Sequence, residues 1–131
     1  MSYKQLWKTV AKFSLSARLL SFRYAINGLR FMLRSQHNAW IHLAITICVF
    51  LAAWRAEFDA TEWRWVIVAV ALVWTAETMN TAIEFVCDVV SPEYHALVEK
   101  AKDIAAGAVL ICAIAAAVIG CLTFWPYIAP G

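Results

Sequence analysis

Residues 104–125 contain no ionisable side chain other than Cys112 and Cys121. An apolar stretch of that length reads as a membrane-spanning helix, because a bilayer core takes about 20 helical residues. The rest of the chain has to be arranged around it. Residues 39–54 form a second apolar stretch whose one ionisable side chain besides Cys48 is His42; it is slightly short for a bilayer but extendable at its N-terminal end. A third begins near Trp63, runs apolar through 65–76 and continues across a set of acids to about Val90. With 63% hydrophobic and 15% charged residues among 131, a water-soluble bundle would lack the polar surface to cover itself. Trp54, Trp63 and Trp65 flank a short turn in the manner of an interfacial aromatic belt, which favours three spans over two. Pro126 and Pro130 are expected to close the last one. The expected fold is an all-α membrane protein, one domain over 1–131, with transmembrane helices at about 38–54, 63–90 and 102–125.

The N-terminal third reads as neither a signal peptide nor a span, because its basic residues are spread along its length and no small-residue cleavage pattern follows an early apolar core. Leu15, Leu19, Phe22, Ile26, Leu29 and Leu33 recur at spacings of four and three. Arg23, Asn27, Arg30 and Arg34 gather on another face. That pattern predicts a basic amphipathic helix over about 14–35, suited to the headgroup region of a membrane or to packing on the bundle. Lys4, Lys8, Lys12, Arg18, Arg23, Arg30 and Arg34 precede the first span, and Lys100 and Lys102 precede the last, against Arg55 and Arg64 in the intervening turn. The positive-inside rule therefore puts the N-terminus and the 88–103 connection in the cytoplasm.

Glu77, Asn80, Glu84 and Asp88 stand at the cytoplasmic end of the second span. At about 100° per residue they fall within roughly 80° of one another, as one polar stripe. Acids at the edge of a membrane helix suggest a functional site, since desolvating them is costly without a partner or cation. Glu77 and Glu84 are about 10 Å apart along the axis, too far to share a proton but suited to two roles, one as base and one holding a cation. After a Ser-Pro turn, Glu93, Tyr94 and His95, then Lys102 and Asp103, return to the same interface and add a cation able to neutralise phosphate. No GxxxxGK loop occurs, so a nucleotide site here is not a P-loop. These residues alone are compatible with a phosphoryl-transfer enzyme, an ion or proton pathway, or a structural membrane protein with a polar helix junction.

Other signals are weaker. Cys48, Cys87, Cys112 and Cys121 show no metal-ligand spacing and lie in apolar surroundings, as buried structural thiols do. Ala113, Ala116, Ala117 and Gly120 offer a small-residue face for close helix packing. His42 reads as a satisfied polar contact rather than a ligand.

One resemblance covers most of the chain beyond the first fifteen or so residues. The pattern Glu77-x-x-Asn80-Thr81-Ala82-Ile83-Glu84-x-x-x-Asp88, then Ser91-Pro92-Glu93-Tyr94-His95 and Lys102-Asp103-x-Ala105-Ala106-Gly107, resembles the signature of the small prokaryotic diacylglycerol kinases, which include the undecaprenol kinases. It extends back through Ser21-Phe22-Arg23-Tyr24-Ala25 and Asn27-Gly28-Leu29 to Asn38, Ile41 and His42. The resemblance implies a membrane homotrimer with active sites composed between subunits, transferring the γ-phosphate of MgATP to a lipid alcohol, diacylglycerol or undecaprenol. It implies no nucleic-acid partner. The segment around Asn38, Ile41 and His42 is more similar to the undecaprenol-kinase branch. A catalytically weak or inactive member, or a non-enzymatic helical protein, is the alternative.

Carried over by position, the resemblance makes Glu77 the general base and Glu84 the magnesium ligand. Lys102 contacts phosphate, Asp103, Glu93, Tyr94 and His95 help hold the nucleotide, Asn80 orients its neighbours and Tyr24 closes over from the surface helix; Asp88 is read as structural. One position departs from the family. Where a second magnesium-binding glutamate is common, this chain has Gln36, whose amide oxygen can ligate but carries no charge, so a raised magnesium requirement is expected.

Overall fold

A computed structural model describes residues 14–129. Lys4, Lys8, Lys12 and Pro130, used in the reading above, lie outside them. Among the described residues all regular structure is helical: α1 (Leu15–Ser35), α2 (His37–Arg55), α3 (Ala60–Val90) and α4 (Ala96–Ile128). The chain divides into two compact units, one ending at Phe31 and one starting at Met32.

In the first unit, α1 begins where Ser14 Oγ accepts the Ala17 amide at 3.4 Å, a weak N-terminal cap. Leu15, Leu19, Phe22, Ile26 and Leu29 all lie exposed along it.

In the second unit α1 finishes at Ser35, Gln36 is extended (φ −114°, ψ 121°), and α2 starts at His37. The link from α2 to α3 is built from local rules. Phe58 N–H donates to Ala53 C=O and Glu57 N–H to Trp54 C=O, the paired bonds of a Schellman turn, with Glu57 in the left-handed region at φ 54°. Asp59 then opens α3 with a capping box: its carboxylate accepts from the Thr61 and Glu62 amides, and Glu62 accepts from the Asp59 amide. Phe58 is turned inward by these bonds and joins Ala53 and Val66 in a small core, with Phe50, Trp63 and Phe124 around it.

The three long helices are each apolar enough to cross a membrane. Of their apolar windows, that of α3 is 33% buried against 11% and 6% for α2 and α4, so α3 is the helix the other two cover. It packs most extensively on α4. Large side chains such as Ile45, Leu110 and Val118 point outward, an arrangement suited to lipid and costly in water.

Several expectations change in three dimensions. α4 runs through Pro126 to Ile128 instead of stopping there. Its last turn is held from outside: Phe124 and Tyr127 stack on Phe58 at 4.6 and 5.1 Å, and the Tyr127 hydroxyl donates to Glu62 at 2.8 Å. α4 also starts at Ala96, well before 102, because His95 Nδ1 caps it by accepting the Leu97 amide at 3.2 Å. Trp54 and Trp65 face outward as a belt would, but Trp63 packs against Phe50 and Phe58. Cys48 and Cys121 are exposed rather than buried, and all four cysteines are free. The small residues Ala113, Ala116, Ala117 and Gly120 do not close a helix contact; lacking bulk, they leave an apolar groove of about 510 Å³ between α2, α3 and α4, with His42 also on its wall.

Candidate active site

Just past its midpoint, α3 changes character. Its apolar face gives way to Glu77, Asn80 and Thr81, the buried polar or charged side chains among the described residues, with Glu77 only 2% exposed. Burying such groups is unfavourable unless neighbours satisfy them. The neighbours come from α2 and from the α1–α2 junction.

Glu77 Oε2 lies 3.8 Å from His42 Nε2 on α2. The two helices are pinned beside this pair. Trp74 Nε1 donates to Thr46 Oγ1 at 3.0 Å, and Thr46 Oγ1 donates to the His42 carbonyl at 2.7 Å. Thr78 donates back to the Trp74 carbonyl at 2.7 Å and reaches the buried Met32 sulfur at 3.4 Å. The sequence reading did not single out Thr46, Trp74, Thr78 or Met32. Their one advance signal was a polar atom on an otherwise apolar helical face.

One to two turns on, Glu84 is held at both oxygens by amides. Asn80 Nδ2 donates to Oε1 at 3.2 Å and Gln36 Nε2 donates to Oε2 at 3.3 Å. Gln36 thus comes to Glu84 over a long sequence separation, and it turns its N–H rather than its oxygen to the carboxylate. Asn80 Oδ1 and Thr81 Oγ1 remain buried without hydrogen-bond partners.

The remaining candidates sit where α3 passes into α4. Lys102 Nζ pairs with Asp88 Oδ1, tying the start of α4 to the end of α3, and also interacts electrostatically with Glu84. Asp103 pairs with Lys100 at 3.0 Å on the exposed side. The Glu93 carbonyl accepts from Ser91 Oγ at 2.9 Å, and His95 is the α4 cap. Tyr94 donates to Glu99 at 2.8 Å, and that hydrogen bond holds the phenol above its ordinary range. Glu93, Tyr94, His95 and Asp103 are therefore held by local partners and not by the Glu77–Glu84 face. Tyr24 is exposed on α1, in the unit that ends at Phe31.

No group of three or more His, Cys, Asp or Glu side chains suited to a metal occurs among the described residues. What stands at Glu84 is one carboxylate with two amides, one of them carrying the unpartnered Asn80 oxygen. Magnesium commonly takes one or two carboxylates, keeps several waters and is completed by substrate phosphates, so this donor set fits a magnesium ion brought by a nucleotide.

A family model described as prokaryotic diacylglycerol kinase matches residues 23–124. An undecaprenol kinase of Bacillus subtilis is 33% identical over 106 residues, which is 81% of this chain and 86% of that protein. A diacylglycerol kinase of Synechocystis is 41% identical over 110 residues, 82% of this chain and 63% of that protein. The diacylglycerol kinase of Escherichia coli K12 is 35% identical over 112 residues, covering 79% and 85%.

Proposed function

We propose that this chain, which belongs to the prokaryotic diacylglycerol kinase family, is a multi-pass membrane lipid kinase that transfers the γ-phosphate of ATP to the hydroxyl of a lipid alcohol, diacylglycerol or undecaprenol. The observation that carries this reading is the buried Glu77, with the amide-held Glu84 further along the same face of α3.

In this reading Glu77 takes the proton from the lipid hydroxyl. Its low exposure favours that role, because a base kept from bulk water is available to the acceptor alone and γ-phosphate is shielded from hydrolysis. Glu84, between the Asn80 and Gln36 amides, would hold magnesium, which when bound offsets the charge of the nucleotide phosphates. Asn80 keeps Glu84 oriented through its N–H. Lys102 leaves Asp88 to meet phosphate, and Asp103, Glu93, Tyr94 and His95 line the nucleotide from the α3–α4 connection. The acceptor enters sideways from the bilayer, and the apolar groove beside His42 suits its hydrocarbon tail.

The basic residues Arg18, Arg23, Arg30, Arg34, Lys100 and Lys102 support a cytoplasmic N-terminus and active site in a bacterial inner membrane, with α1 lying at the headgroups. A homotrimer with sites shared between subunits accords with the family resemblance. Purified protein in lipid, given ATP and either diacylglycerol or undecaprenol, is the test. Phosphate transfer to one of them, abolished by Glu77→Gln with the assembly state unchanged, is the expected result; transfer that survives Glu77→Gln would remove Glu77 from the role of base.

A further inference from the structure

We infer that His42 is a positioning residue for Glu77 and receives from it the proton that the lipid hydroxyl gives up. This rests on the kinase reading above, in which Glu77 is the base and His42 has no part. The pair is separated by 3.8 Å, with the Glu77 side chain 3% and the His42 side chain 18% exposed. A carboxylate so far from water, once it has taken a proton, is freed of it only beside a neutral group that can take up the compensating positive charge. The titratable groups that act on Glu77 are His42 from α2 and Glu84 on α3 itself. Glu84 is an acid and offers no compensation. From α4, Lys102 is paired with Asp88, and at the α1–α2 junction Met32 and Gln36 are neutral.

The placement of His42 is built in. Its carbonyl is held by Thr46, whose hydroxyl is in turn held by Trp74, one turn before Glu77 on α3. The imidazole therefore faces the carboxylate because two helices are pinned at that level. At 3.8 Å the contact is longer than a hydrogen bond, as catalytic contacts often are before substrate closes the site.

The chemistry requires such a group. As the lipid oxygen bonds to the γ-phosphorus, the bond from that phosphorus to the β,γ-bridging oxygen breaks and its electron pair leaves with ADP. The hydroxyl proton goes to Glu77. Before the next turnover Glu77 has to lose it, in a site that excludes water. Imidazole accepts a proton at one nitrogen and releases one from the other, so the proton passes from Glu77 to His42 Nε2, and the imidazole releases one to water after the phosphorylated lipid has left the groove that His42 lines.

The experiment measures kcat and the KM for MgATP of the full-length protein in lipid for His42→Ala and His42→Gln, each with and without added imidazole. His42→Ala is expected to lower kcat at least tenfold, to leave KM within twofold, and to recover with imidazole. His42→Gln keeps a hydrogen-bonding side chain of similar reach but cannot relay a proton, and is expected to lose as much kcat. Folding is checked by size-exclusion elution and helical circular dichroism. A folded His42→Gln with kcat within twofold of wild type overturns the inference, as does a folded His42→Ala that imidazole fails to restore. Should His42→Ala not fold, His42→Gln decides alone. A wild type that phosphorylates neither lipid defeats the kinase reading itself, and this inference with it, before any variant is compared.

Discussion

The Trp74 indole donates to the Thr46 hydroxyl at 3.0 Å and thereby joins α3 to α2 one turn from Glu77. In an apolar bundle a single directional bond of this kind sets how one helix is rotated against the next, which dispersion contacts alone do not. Trp74→Phe keeps the aromatic bulk and removes the donor. The expected loss is about 1 kcal/mol of stability, with kcat reduced several-fold and the KM for ATP unchanged. Thermal unfolding in detergent and a steady-state assay read both; a variant equal to wild type in kcat would show that the rotation of α2 does not matter to the site.

Gln36 meets Glu84 with an amide N–H. Replacing it by glutamate puts a second carboxylate where the first is already held, which repels without metal and binds better with it. Gln36→Glu is expected to lower the magnesium concentration at half-maximal activity several-fold. Titrating activity with magnesium at fixed ATP compares the two, and coincident curves would mean that Gln36 has no contact with the ion.

Lys102 and Asp88 form an ion pair between a half-buried and an exposed side chain. Solvent-screened pairs of this kind contribute little, so Asp88→Asn is expected to leave stability almost unaltered. Lys102→Met is a different matter if the lysine moves to phosphate, since that contact is charge-assisted. The KM for ATP should then rise about tenfold or more. An unchanged KM would confine Lys102 to its contact with Asp88.

Glu57 occupies the left-handed position of the Schellman turn at φ 54°, where glycine is at ease and a side chain is not. Glu57→Gly is expected to raise stability by about 1 kcal/mol. Asp59→Ala removes the capping box next to it and is expected to lower stability by about 1 kcal/mol. Both lie about five helical turns or more before Glu77, so kcat should stay as in wild type. Unfolding midpoints that move in the reverse directions would mean that neither the left-handed Glu57 nor the capping box governs the stability of this turn.

The polar stripe was legible in the chain because Glu77, Asn80, Glu84 and Asp88 repeat at helical spacing, and spacing is a local property. The hydrogen bonds of Asn80 to Glu84, within one turn, follow from the same periodicity. Gln36 was marked by the resemblance alone, and nothing in its neighbourhood foretold that its N–H would be the group facing Glu84. His42 read as a satisfied polar contact whose partner the sequence does not name; that partner, Glu77, lies on another helix.

From the order of residues alone came three spans and their polar interruption, since a bilayer selects helices by length and apolarity and a helix places side chains by a constant turn. The tertiary structure decided what no period encodes. It brought His42 to Glu77 through the Thr46–Trp74 bond, and it carried α4 past Pro126 because Phe58 and Glu62, on a distant turn, hold Phe124 and Tyr127. It also opened a groove where small residues had suggested a closed contact, because a gap between three helices depends on all three surfaces at once.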